Sequence, residues 1–253
     1  MNPEEAAIRE SIRKLTGEDP PGRPVVWDDT AEYMSIERGH LVRLDGRLYL
    51  VRGNEHEGRF SIDDQPKFWV KRAIGLADGV TYILKLACRE EFLIHVGARE
   101  VHCYRSPQKE ARVLGLVRGD RRFMQGWTAI DGRRNRVHII EFIRGTDLLS
   151  YLPALPMDHE AYAQRLLPDI LRRIADSLDG IQRLHDHGLC HGDIRNDHLM
   201  VERESGDYRW IDFDLNEESP WFDVWSAGNV LHCAVGKGFV TFRETVRAHP
   251  ELS

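Results

Sequence analysis

The sequence predicts an α+β chain in two lobes, strand-rich in its first part and mainly helical in its second. Three observations lead there. Between residues 40 and 104, short apolar runs alternate with turn signals, the pattern of antiparallel hairpins. From 167 to 184, apolar residues instead recur every three or four positions, which marks a long helix buried along one stripe. Between the two patterns, residues 141–145 read as an extended hinge. The expected organisation is an N-terminal extension over 1–40, a first lobe over 41–141 and a second over 142–253.

Each element has a local reason. Residues 3–16 make a short amphipathic helix with Ala7, Ile8, Ile12 and Leu15 at helical spacing, and Pro20-Pro21-Gly22 ends it. A packing role behind the small lobe suits its apolar stripe. Residues 41–44 and 48–51 form a hairpin around Asp45-Gly46, a favoured two-residue turn. Residues 68–74 and 80–86 pair around 75–79, and another strand pair occupies 92–104 around Gly97. Ser106-Pro107 opens a helix, serine as cap and proline at the first helical position. Ala111, Val113, Leu114 and Val117 supply its apolar face. Strands return at 123–130 and 136–142, split by Asp131-Gly132. In the second part, Leu167, Ile170, Leu171, Ile174, Leu178, Ile181 and Leu184 define the long helix. Two short strands at 199–201 and 208–211 follow, and a last helix starts near Asp223.

The 253 residues can hide a substantial core. A hydrophobic content of 42% with 30% charged residues is ordinary for a soluble globular protein. A net charge of −6 argues against nucleic-acid or membrane-surface binding driven by overall charge. The four cysteines lie far apart with no C-x-x-C pair, so they suggest neither a zinc site nor a disulfide framework and fit a reducing cytoplasm. No apolar run approaches the roughly 20 residues of a membrane span. The acidic N-terminus lacks the form of a signal peptide, so a cytoplasmic protein is expected.

The chemistry concentrates between His191 and Asp214. Asp193 sits on a tight loop, a polar residue, His198, follows five positions on, and Asp212-Phe213 ends a later apolar run. Phosphoryl transfer needs such parts: one carboxylate to receive the acceptor's hydroxyl proton, another to hold the metal that neutralises nucleotide phosphates. A hard divalent cation wants oxygen ligands, so an aspartate at a strand end suits magnesium. Each residue also has a plainer reading: a strand lysine is usually solvated, and His-Gly-Asp alone can be a turn with an Asx-type bond. Their order along the chain raises the functional reading above these.

In that order the residues resemble the protein kinase superfamily over roughly 45–235. His191-Gly192-Asp193-Ile194-Arg195 looks like the catalytic loop, which implies Asp193 as base and Arg195 in place of the lysine that steadies the transferring phosphoryl group. Asp212-Phe213-Asp214 resembles Asp-Phe-Gly, with Asp212 the metal ligand. Lys85 resembles the nucleotide-binding lysine, Glu110 its ion-pair partner, and residues 223–228 the helix that anchors the catalytic loop. The resemblance implies ATP and Mg2+ as cofactors, with Glu141 and Ile143 of the hinge and Gly53 and Gly58 of a phosphate-covering turn at 53–60 as nucleotide-binding residues. That turn lacks the three-glycine pattern and carries Glu55 and Glu57, so a plain surface turn is an equal reading.

The pattern departs from the family at several places. His198 stands where kinases keep a metal-binding asparagine. Either it ligates metal, with Mn2+ favoured, or Asn196 or Asp197 substitutes, or one ion suffices, or catalysis is reduced. Gly192 replaces the arginine that reads a phosphorylated activation loop, and the segment from Asp212 to Asp223 is short. Asp214 replaces the closing glycine, as a further metal ligand or a solvated carboxylate. The leading expectation is an ATP-dependent serine/threonine protein kinase. A small-molecule kinase acting on a sugar or antibiotic, and a pseudokinase that binds nucleotide without chemistry, are the alternatives.

Overall fold

The computed structural model describes residues 2–59, 62–96, 99–216, 219–238 and 247. In chain order the elements begin with helix α1 (Pro3–Thr16), strand β1 (Val26–Trp27), a 3-10 turn (Tyr33–Ser35), and strands β2 (Leu41–Leu44), β3 (Arg47–Arg59), β4 (Ile62–Gly75) and β5 (Thr81–Leu86). Then come β6 (Glu91–Val96), β7 (Arg99–Arg105), α2 (Pro107–Leu116), β8 (Gly126–Ile130), β9 (Arg136–Glu141) and β10 (Gly145–Asp147). The remainder is α3 (Leu148–Tyr151), α4 (His159–Arg165), α5 (Leu167–Asp186), a 3-10 turn (Asn196–His198), β11 (Leu199–Glu202), β12 (Tyr208–Trp210), β13 (Leu215–Asn216) and α6 (Pro220–Val235). Among the described residues, no helix is long and apolar enough to cross a membrane. Over the described residues the fold is mixed α and β, with a large sheet and six named helices.

The chain divides into two compact units, Met1–Arg89 with Gln125–Phe142, and Glu90–Met124 with Ile143–Ser253. Residues 90–124, expected in the first lobe, therefore group with the second part. Two pairings account for this: β7 pairs with β13, and Phe123 bridges Trp210 instead of opening a strand at 123.

The first unit is a seven-stranded sheet in the order β1-β2-β3-β4-β5-β9-β8. Asp45 and Gly46 both take positive φ, 45° and 76°, the twist a two-residue hairpin needs between β2 and β3. One face buries Val51, Ala73, Leu84, Leu86, Val137 and Ile139, covered by Ile36, Trp27 and Tyr33. Helix α1 is capped by Asn2 and stopped by left-handed Gly17, ahead of the expected prolines. It buries Ile8 and Ile12 against Leu41 and Leu50, roughly 2 kcal/mol for each isoleucine. Lys71 of β4 is wholly buried and donates from Nζ to Ile36 O and Asn54 Oδ1, both at 2.7 Å. Burial pushes its ammonium down to about 8.

One expectation is corrected here. No turn separates strands at 53–60; β3 runs through Gly53 and Gly58, and its connection to β4 falls at residues 60–61, outside those described. The register shifts between Val51 and Gly53, where Gly53 has φ 155°. A glycine at a bulge absorbs an extra residue while pairing continues, so the same residue that suggested a turn keeps the strand intact.

In the second unit, β6 and β7 form a hairpin extended by β13, and β10, β11 and β12 make a separate three-stranded sheet. Ser106 caps α2 by accepting the Lys109 amide at 3.2 Å. Helix α5 buries Ile170, Ile174, Ile181 and Leu184 on one stripe. Helix α6 starts at Pro220, one turn earlier than expected, which places Asp223 inside its first turn.

Candidate active site

The loop after α5 is built on one carboxylate. Asp223 is buried, and its Oδ1 accepts the Gly192 amide at 2.8 Å. Its Oδ2 accepts the His191 amide at 2.7 Å and lies 2.9 Å from His185 Nε2. Burial alone would raise its pKa, but the hydrogen bond from His185 and those from the backbone amides hold it below the ordinary value. Gly192 has φ 82°, a left-handed conformation in which glycine is at ease. Cys190 lies close enough to His185 and Asp223 for the trio to resemble a metal cluster. Both Asp223 oxygens are already taken by N–H donors, so the trio is better described as an anchor.

His191 is fully buried, its ring 4.6 Å from Phe213, 5.3 Å from Trp210 and 6.3 Å from His198. Burial pushes its pKa down to about 3, so it is a neutral aromatic plug at physiological pH. Its Nδ1 accepts the Asp193 amide at 3.3 Å, which fixes the backbone that presents Asp193.

His198 then joins the two aspartates. Its Nδ1 lies 2.8 Å from the Asp193 carbonyl. A carbonyl only accepts, so Nδ1 carries the proton and the neutral ring keeps a lone pair on Nε2. That nitrogen is 3.5 Å from Asp212 Oδ2, and Nδ1 is 3.5 Å from Asp193 Oδ2. Asp212 has φ 68°, an uncommon conformation for a side-chain-bearing residue. Strain of this kind persists only where the surroundings enforce it. Arg195 donates from Nε to Asp197 Oδ1 at 2.9 Å and stands 3.6 Å from Asp193 Oδ2. Asp197 is thus engaged by Arg195, and the amide oxygen of buried Asn196 has no hydrogen-bond partner. His198 Nε2 lies beside Asp212, at 3.5 Å from its Oδ2.

Asp214 is neither solvated nor open to a metal, which corrects both readings made from the sequence. It is buried, and Arg105 Nη1 donates to its Oδ1 at 2.9 Å and its Oδ2 at 2.8 Å. Its carbonyl accepts the Ser106 amide at 2.6 Å. Burial opposes the Arg105 charge, but Asp214 and Asp212 more than offset it and hold the guanidinium firmly cationic. Lys109 of α2 is also buried, donating from Nζ to His191 O at 2.7 Å and to Leu215 O. Arg105 and Lys109 have no signal in the sequence, and His191 is marked there only as the first residue of the catalytic-loop motif. Only the family-like context of Asp223 pointed to the anchor.

The other expected site residues have definite places. Glu110 is buried in the first turn of α2, in the second unit. Lys85 is buried on β5 in the first unit, opposite Val70 and His138. Glu141 ends β9, its carboxylate accepting the Gln125 amide at 2.9 Å. Phe142 lies under the Arg72 guanidinium at 4.6 Å, and Ile143 begins the link to β10 in the second unit. Gly53 and Gly58 lie within β3 and form no turn.

No protein-family model matches the sequence, and no curated protein matches it either. Among solved structures, the chain is similar to the kinase PK-1 of Cydia pomonella granulovirus, with a TM-score of 0.51 at 11% identity. That likeness covers 79% of this chain and 78% of the viral one. The fold is therefore protein-kinase-like.

Proposed function

We propose that the protein is an ATP-dependent phosphotransferase that moves the γ-phosphate to a hydroxyl acceptor. The observation that carries this is His198, whose imidazole lies 3.5 Å from both the Asp193 and the Asp212 carboxylate oxygens. Asp193 is half-exposed beside that ring and receives the acceptor's proton. Arg195, 3.6 Å from Asp193, adds positive charge beside the reacting group. Asp212 and the free Nε2 of His198 offer a carboxylate and a neutral imidazole to one divalent ion, a donor set that suits Mn2+ at least as well as Mg2+. That ion supplies neutralisation of nucleotide phosphate charge when bound.

In this reading Lys85 binds the nucleotide phosphates and the backbone near Glu141 receives the base. A serine or threonine side chain of a protein is the leading acceptor. The short stretch from Asp212 to α6, with β13 paired onto β7, favours a small-molecule hydroxyl as the second reading.

The test is transfer from γ-labelled ATP with Mg2+ or Mn2+, against a peptide library, sugars and antibiotics. Asp193→Asn is expected to lower turnover by about 10²–10⁴-fold, the usual contribution of a positioned base. Full activity in that variant overturns the assignment.

A further inference from the structure

We propose that Arg105 and Asp214 form a latch that positions Asp212. The inference rests on the phosphotransferase reading of Asp212 and adds what holds that carboxylate in place. Asp212 sits at a left-handed turn, and a change of φ there would swing its carboxylate away from His198. Several contacts oppose such a swing. Phe213 is fully buried, 5.8 Å from Phe123 and 4.6 Å from His191. Asp214 receives both Arg105 hydrogen bonds, and its carbonyl accepts the Ser106 amide. Leu215 and Asn216 pair as a strand with Arg105 and Tyr104.

Apart from the packing of Phe213, these contacts meet the chain just before α2, whose first turn returns Lys109 to Leu215 O and His191 O. The loop bearing Asp193, the turn bearing Asp212 and the helix bearing Glu110 are thereby tied to one another within a single unit. Glu90 accepts a further bond from Arg105 Nε at 2.6 Å and steadies the guanidinium from its other side. The guanidinium fork thus spans two carboxylates, Nη1 reaching both Asp214 oxygens and Nε reaching Glu90, which fixes its plane and suits it to hold a neighbouring ligand. Asp214 is hence a positioning residue for Asp212, two residues away.

The experiment measures Mn2+ affinity by electron paramagnetic resonance, with and without a non-hydrolysable ATP analogue, alongside amide exchange across residues 211–216. Asp214→Asn and Arg105→Ala are expected to weaken Mn2+ binding by about 10–100-fold, the usual cost of removing an outer-shell partner. Activity should return substantially at saturating Mn2+, and Arg105→Lys, which keeps charge but loses the fork, should fall between. Unchanged exchange in α5 verifies that the variants are folded. Should Arg105→Ala not fold, Arg105→Lys alone decides, because a latch requires its Mn2+ affinity to fall. Variants that lose exchange protection at 211–216 yet bind Mn2+ as the wild type does would overturn the latch alone. Wild-type protein that binds no Mn2+ in either condition would overturn the phosphotransferase reading and the latch together.

Discussion

His198 Nε2 faces Asp212 Oδ2 at 3.5 Å, a lone pair turned toward a carboxylate with no proton held between them when the ring is neutral. Two bases so placed repel unless a cation or a proton comes between. An ion bound to both at ordinary ligand distances would leave the donors about this far apart. In the proposed reading this pair would hold one divalent ion, with the ring fixed at its other nitrogen by the Asp193 carbonyl.

The first prediction concerns that bite. Imidazole favours the later, softer divalent ions, whereas an amide oxygen is indifferent between Mn2+ and Mg2+. His198→Asn should keep a ligand of similar size while lowering the ratio of Mn2+ to Mg2+ activation by roughly tenfold. Metal titrations of turnover measure it. An unchanged ratio means His198 holds the loop without touching metal.

The second concerns the anchor. Asp223 is buried as a charge with three N–H partners, so Asp223→Ala leaves those donors unmet and should cost about 3–5 kcal/mol. Its folded pKa lies below the ordinary aspartate value. The unfolded chain therefore takes up the proton first on acidification. Its stabilisation is present above pH ~4 and is lost as the pH falls through the folded value. Denaturant melts of wild type and Asp223→Ala should converge on acidification; a gap that stays constant down to pH 3 would sink the idea.

Much of this fold is written locally in the sequence, and the parts that are not share a cause. The Asp45-Gly46 turn, the Ser106-Pro107 cap and the α5 stripe each depend on neighbours within a few residues, so short-range pattern suffices. Asp193, His198 and Asp212 could be nominated because their order resembles a family pattern. Arg105 and Asp214 are 109 positions apart, and no periodicity links them. Lys109 reads as a solvated helix residue until the carbonyls of His191 and Leu215 are seen around it. Gly53 was misread because a glycine signals a turn and a bulge alike, and only the partner strand β4 decides which.

The third prediction uses Lys71. Its folded pKa, about 8, lies below the 10.5 of an unburied lysine, so the folded state disfavours the proton. The penalty is complete below pH ~8 and fades as the pH rises toward ~10.5, where the unfolded lysine also loses its proton. Relative to Lys71→Met, wild type should gain on the order of 2 kcal/mol between pH 7 and 10, after a discount for solvent screening. Urea melts across that range measure the difference. A flat difference would mean that the ammonium is not destabilised by its site.

The last prediction sets two effects of opposite sign against each other at Gly180. In the middle of α5, alanine in place of glycine should favour the helix by about 1 kcal/mol. A Cβ there, however, would lie 2.9 Å from Phe123 Cζ and 3.0 Å from Cε2. Phe123 is fully buried and cannot swing into solvent, and its ring packs 5.8 Å from that of Phe213 between centres. Overpacking of a closed core costs about 1–3 kcal/mol, so it should outweigh the helix gain and leave Gly180→Ala less stable by roughly 1 kcal/mol. Because Phe213 adjoins Asp212, the metal affinity should fall along with the melting temperature. Gly188→Ala is the control: Gly188 has open space around it and strains only its own φ of 67°, so it should lower stability while leaving metal affinity intact. Equal metal affinity in both variants would show that displacement of Phe123 is not transmitted to Asp212.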